Sequence, residues 1–236
     1  CESLGSKYRN KYLGTFGDFS TFSFYSSHQI SSGEGGMICA KSKEDMEILR
    51  ALRSHGWSRG LAKEKHIAKK FKKIDKRFIF YNSGFNLRPT DINAAIGLNQ
   101  LKRLKKILNT RSQNYNLIVK SLLSDRRYCS QFAITTSLKH NSIAWFGIPF
   151  VLSSKFSNKK NYIVNFLNKT GIETRPIISG NFANQPAVKL YKIKAKNLKN
   201  ANYIEKNAFF LGVHSKKLKI HELVFLKDGI FNSFKQ

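Results

Sequence analysis

Apolar residues recur along this chain with two different periods, and the change of period marks the elements. Strands are predicted near 18–25, 36–41 and 143–152, and the run from Ile143 to Leu152 is the most continuously apolar. Beyond the second strand, Met46, Leu49 and Leu52 recur at helical spacing. Ser42 with Glu44 and Asp45 supplies a capping-box-like start for that helix, and Gly56 a stop. Residues 60–80 are lysine-rich with interspersed apolar positions, which predicts a mobile or poorly specified segment. After Pro89, Thr90 caps a long helix with an apolar stripe of Ile92, Ala95, Ile96, Leu101, Leu104 and Leu108, continuing through Tyr115 and Ile118 to Leu122. A helix of that length predicts a connector between two domains, residues 1–124 and 125–236. In the second, strand 143–152 leads to a helix over 157–169, with Ser157 as cap and Gly171 as stop. A strand near 172–177 and C-terminal helices near 197–211 and 220–234 complete it. Strands alternating with helices indicate an α/β fold.

Composition narrows the class. A chain of 236 residues with 41% hydrophobic content can bury a core in one or two domains. No run approaches the roughly 20 apolar residues that span a bilayer, and the opening Cys-Glu-Ser-Leu-Gly does not read as a signal peptide. Cys1, Cys39 and Cys129 are too widely and irregularly spaced for a disulfide framework or a zinc site, so a reducing, cytoplasmic setting is expected. The formal charge of +28 favours polyanions. Yet the basic residues are scattered, with one denser stretch from Lys63 to Arg77, and no nucleic-acid-binding motif accompanies them.

The segment from Phe22 to Gly36 concentrates the candidate chemistry. An aromatic strand (Thr21, Phe22, Phe24) runs into a Ser-Ser-His turn at 26–28, a Gly33-Glu-Gly-Gly36 loop and a second apolar strand, Met37 to Ala40. Small hydroxyls beside a glycine loop suit phosphate binding, and His28 is a candidate acid/base. A hairpin carrying a surface histidine is the plain alternative.

The same segment resembles the cofactor-lysine motif of the pyridoxal-phosphate sugar aminotransferases, the DegT/DnrJ/EryC/StrS family. The resemblance continues through Arg53-Ser-His55-Gly-Trp-Ser-Arg59, Gly84-Phe-Asn86-Leu-Arg88-Pro, Ala94 to Leu101 and Gly171-Ile-Glu-Thr-Arg175-Pro. It implies an aspartate-aminotransferase-like fold (fold type I) of which this chain is the C-terminal part. Residues 1–124 then correspond to the end of the large cofactor domain with its connecting helix, and 125–236 to the small domain. An aspartate that pairs with the pyridine nitrogen, and residues that stack on the ring, are expected upstream of Cys1. His28 stands where these enzymes keep the lysine that binds the cofactor covalently. That departure resembles the nucleotide-sugar 3-dehydratases acting on 4-keto-6-deoxyhexoses, which feed dideoxysugar and O-antigen synthesis.

What the resemblance implies can be stated residue by residue. His28 is the acid/base, and Ser23 binds the cofactor phosphate. Asn86 reaches the phosphate of the partner subunit's cofactor, which implies a homodimer with a composite site. His55, Arg88 and Arg175 are placed near the substrates, a nucleotide sugar and L-glutamate. Pyridoxal and pyridoxamine 5′-phosphate are the cofactors, and GDP-4-keto-6-deoxymannose is the expected sugar. Three cysteines cannot supply the roughly four thiolates of an iron–sulfur cluster, so the cluster-free branch and no metal are expected. His66, His140, His214 and His221 are read as structural. Two other readings stay open: a different nucleotide-linked 4-keto sugar, or a non-catalytic relic that binds polyanions.

Overall fold

A computed structural model describes residues 1–136, 140–193 and 198–235. The chain divides into two units, residues 1–104 with 140–142 and residues 105–139 with 143–236. The sequence places a boundary at 124, whereas the units part within the long helix, between Leu104 and Lys105.

In the first unit, β1 (Lys7–Tyr8) turns into β2 (Lys11–Tyr12), with Arg9 and Asn10 both at positive φ as a two-residue hairpin requires. β3 (Phe19–Ser23) and β4 (Gly36–Ala40) pair antiparallel with Ser23 opposite Gly36. The register folds residues 24–35 into one loop at the strand end. α1 (Lys43–Arg53) begins as its sequence predicts, with Ser42 Oγ accepting the Asp45 N–H at 3.0 Å. Residues 60–80 differ from expectation. They contain α2 (Glu64–Lys70) and a helical turn at 76–78, because Leu61, Ile67 and Ile79 bury against Ala51. Apolar residues spaced irregularly among lysines give no period, yet this small cluster pins the segment. Its lysines face outward around that contact.

α3 (Asp91–Leu123) runs 33 residues, and Thr90 Oγ1 accepts the Asn93 N–H at its start. Its stripe changes character along the way. Ile92, Leu98 and Leu101 are exposed, whereas Tyr115, Ile118, Val119 and Leu122 are buried. The latter four belong to the core of the second unit.

Past α3 come β5 (Phe132–Ile134), β6 (Asn141–Ser142), which pairs with β1, and β7 (Gly147–Leu152). α4 (Lys160–Lys169), β8 (Thr174–Pro176), α5 (Pro186–Leu190), α6 (Lys199–Asn207), β9 (Ala208–Gly212) and α7 (Ile220–Asn232) follow. The sheet order is β5-β7-β9-β8, antiparallel throughout. Ile148, Phe150 and Leu152 alternate inward on β7 and meet Ile163 and Leu167 of α4 in the core. Two expectations need correcting here. Residues 208–211 belong to a central strand and not to the helix expected over 197–211. Ala-Phe-Phe-Leu shows no alternation, because Ala208 on one face of the strand and Phe209 and Leu211 on the other are all buried. Residue 197 of that expected helix lies outside the described residues. Ser157 does not cap α4; it sits inside the preceding helical turn, its hydroxyl donating to the Ser154 carbonyl at 2.9 Å.

The turn after α3 is fixed by charge. Arg127 bonds Asp125 and Asp228, and Lys227 closes on Asp125 at 3.1 Å. Hydrogen bonds from Arg127 hold the Asp125 carboxyl well below the usual carboxylate range. A carboxyl depressed on folding stabilises fully above its unfolded pKa, about 3.9, and progressively less as the pH falls through the acid range. Asp125→Asn is therefore expected to lower stability in denaturant unfolding at neutral pH. The gap to wild type should close as the pH falls below about 4; a gap independent of pH would mean that the ion pair does not supply it.

Candidate functional site

Two clusters of polar and aromatic side chains lie in the first unit, and the end of α1 builds one of them. The helix finishes in an αL cap: the Gly56 N–H returns to the Ala51 carbonyl at 2.8 Å. In such a cap the His55 N–H ordinarily closes on the carbonyl of Leu52. Here Phe85 takes both groups, its N–H donating to Leu52 and its carbonyl accepting from His55, each at 2.7 Å. The Leu87 N–H donates to Arg53, and the N–H groups of Tyr81 and Asn82 donate to Gly56. Residues 81–87 are thus laid against the helix end by backbone alone.

This contact leaves no room for side chains. A Cβ on Gly56 would sit 1.7 Å from the Asn82 carbonyl oxygen, and one on Gly84 would sit 2.1 Å from the Gly56 nitrogen. Next to them, His55 holds φ +59, an uncommon conformation for a residue with a Cβ. The His55 ring stands 5.0 Å from the Trp57 ring, and the Arg88 guanidinium lies 5.9 Å over that indole. Arg88 Nε also points a donor at Asn86 Oδ1, at 3.4 Å. That contact engages the amide's oxygen and leaves its NH2 group to face solvent. The structure therefore gathers His55, Asn86 and Arg88 around Trp57.

The second cluster is built by the loop between β3 and β4. The Phe24 N–H bonds the Gly35 carbonyl and the Ser32 N–H bonds the Phe24 carbonyl, which closes the loop at its base. Asn93, in the first turn of α3, donates to the Ser32 carbonyl at 2.7 Å. The loop after His28 and the segment carrying Asn86 and Arg88 are thus tied to the same helix start.

Within this loop Ser23 Oγ accepts the Tyr25 N–H at 3.3 Å, so its own hydrogen remains free to donate outward. His28 is held on both sides. Its Nδ1 lies 3.3 Å from the Ser23 carbonyl oxygen, and its Nε2 lies 3.5 Å from Glu2 Oε1. Tyr25 packs edge-on against the ring. The arrangement provides a hydroxyl donor and a titratable ring in one loop, with a carboxylate beside the ring.

Arg175 belongs to the second unit. It lies on β8, exposed, with its guanidinium 2.7 Å from Glu173. Sequence reasoning missed Glu2, Gln29 and Trp57. Glu2 meets His28 only through the fold, and no local spacing announces it. Trp57 lies inside the Ser54-His55-Gly-Trp57 motif, but aromatic residues there read as packing.

The backbone contact at the end of α1 generates a prediction. Gly84→Ala should cost at least about 2 kcal/mol of stability, because backbone must move to admit the methyl group. Gly60 has positive φ, unlike Gly84, but a Cβ there meets nothing within 4 Å, so Gly60→Ala should cost only about 1 kcal/mol. Equal losses in denaturant unfolding would show that the close approach does not matter.

Comparison with known proteins extends this geometry. The model of the DegT/DnrJ/EryC1/StrS aminotransferase family matches residues 1–221. GDP-4-keto-6-deoxy-D-mannose 3-dehydratase of Escherichia coli O55:H7 is 34% identical over 97% of this chain and 58% of its own length. A structure of the E. coli enzyme with bound hydrated PLP superposes with a TM-score of 0.86 at 33% identity, over 98% of this chain and 58% of that one. Another structure of this dehydratase, with a trapped PLP–glutamate geminal diamine, gives 0.86 at 31% identity, over 98% and 59%. The chain spans a little over half the length of these relatives. Its fold is that of the fold type I sugar aminotransferases, and the chain belongs to the DegT/DnrJ/EryC1/StrS aminotransferase family.

Proposed function

We propose that this chain forms part of a pyridoxal-phosphate-dependent 3-dehydratase of nucleotide-linked 4-keto-6-deoxyhexoses, with GDP-4-keto-6-deoxymannose as the sugar and L-glutamate as amino donor. One observation carries the reading. At the strand end where the family keeps its cofactor lysine, this chain has the imidazole of His28, and no lysine lies between Asp18 and Lys41. The likeness to a named 3-dehydratase supports the same assignment. Among the described residues no helix is long and apolar enough to cross a membrane. The exposed thiols of Cys1, Cys39 and Cys129 suit a reducing, cytoplasmic compartment.

The residues present fit the cofactor. The Ser23 hydroxyl has a free hydrogen for a phosphate oxygen, and the outward amide of Asn86 offers two more donors. The cofactor, when bound, supplies an electron sink that acidifies the carbon next to its amine and lets the sugar's C3 hydroxyl depart. His28 would take the proton from that C4′ carbon and, as the imidazolium, could give it to the departing C3 hydroxyl, which leaves as water, work that an imidazole does near neutral pH. With Nδ1 bonded to the Ser23 carbonyl, Nε2 is the nitrogen left to move the proton. Arg88 offers a guanidinium fork suited to the glutamate carboxylate. His55 and Arg175 serve the substrate, and Asn86 serves the cofactor of a second subunit in a homodimer.

His28→Asn tests the reading. The amide keeps a hydrogen-bonding group but cannot accept the C4′ proton, so the variant should retain pyridoxamine phosphate and lose roughly 10²–10⁴ in elimination rate. Near wild-type dehydration would make His28 a bystander. A second test concerns assembly. Asn86→Ala alone should weaken cofactor retention, and mixing it with His28→Asn should recover activity through hybrid dimers that hold one intact site. No recovery, once subunit exchange is demonstrated, would mean that each site is built within one chain.

A further inference from the structure

We infer that Glu2 is a positioning residue for His28, facing the ring nitrogen that exchanges protons, and that Gln29 is the tether that keeps it there. The inference deepens the functional reading above and rests on His28 being the acid/base of the site.

The geometry starts with the two ring nitrogens. His28 Nδ1 lies 3.3 Å from the Ser23 carbonyl oxygen, and a carbonyl only accepts, so the hydrogen of that contact belongs to Nδ1. Nε2 is then the nitrogen that gains and loses a proton. The atom facing it is Glu2 Oε1, at 3.5 Å. The side chain of His28 is only 12% exposed and that of Glu2 38% exposed, so water screens the pair weakly on the imidazole side. A carboxylate so placed faces Nε2 and resists rotation of the ring. That matters for a group that must meet one carbon atom to take its proton.

Gln29 is an independent sign that this placement is built. Its residue is 2% exposed, and its Nε2 donates to the Glu2 backbone carbonyl. Its Oε1 is buried without a hydrogen-bond partner among the described residues. An unpaired buried amide oxygen is destabilising, so packing alone would favour an apolar side chain at this position. The grip on Glu2 accounts for the amide. Because Gln29 directly follows His28, one turn both presents the imidazole and anchors the residue that faces it. Tyr25, edge-on to the ring at 6.0 Å, is a further titratable side chain packed against it.

The test reads the ring itself, in protein without cofactor, and then turnover. Nitrogen-15 spectra of His28 should show Nδ1 in the N–H range in wild type and in Glu2→Gln. The Nε2 resonance should be displaced in Glu2→Gln, because the carboxylate facing it is replaced by an amide. Gln29→Leu should give a smaller displacement in the same direction while remaining folded. With cofactor, Glu2→Gln should lower kcat about tenfold or more, because a misplaced acid/base loses its near-attack geometry. KM for the nucleotide sugar should stay within about twofold, and Glu2→Asp should recover part of the loss. Unchanged ring resonances in Glu2→Gln, or an unchanged kcat, would overturn the proposal. If the protein dehydrates no nucleotide sugar, the functional reading falls, and the ring resonances alone decide the role of Glu2.

Discussion

The meeting of Gly56 with the backbone at 82–84 is the constraint on which the first unit depends. Two backbones approach so closely that neither Gly56 nor Gly84 can carry a methyl group. In return, the end of α1 has its open carbonyl and amide satisfied by Phe85. Much else follows from that docking. It goes with the left-handed conformation of His55, brings the Trp57 ring near both His55 and Arg88, and sets Asn86 and Arg88 just before the start of α3. α3 then reaches back through Asn93 to the loop after His28. A contact with no side-chain chemistry of its own thus arranges most of the chemistry-bearing residues.

His28 depends on a different kind of support. Its loop is closed by backbone bonds between Phe24, Ser32 and Gly35, and the ring is held by a carbonyl on one nitrogen and a carboxylate near the other. A lysine here would carry a long, mobile chain able to bond a carbonyl carbon covalently. An imidazole is short and rigid and trades only protons. The same turn can therefore host either chemistry, and the identity of one side chain decides which.

How far the sequence reveals this molecule differs from element to element. α1 was legible because Ser42, the acidic first turn and the apolar spacing agree, and α3 because Thr90 precedes a long helical period. β9 was not, since Ala208 to Leu211 lack the alternation that marks a half-exposed strand. The segment 60–80 was misread because three widely spaced apolar residues, Leu61, Ile67 and Ile79, hold it through tertiary contact rather than local pattern. His28 and Ser23 stood out through a contiguous motif, and likewise Asn86 with Arg88. Glu2 and Gln29 act on His28 across the fold, and such partnerships leave no periodic trace.

The central claim is that this family scaffold holds its cofactor without a covalent bond, leaving His28 free to move protons. Borohydride reduction in the presence of pyridoxal phosphate, followed by peptide mass mapping, tests it most directly. The account predicts cofactor that remains dialysable after reduction and no pyridoxyl group on any lysine of the site. Stoichiometric attachment to a lysine near the loop, such as Lys41 after β4, would contradict it.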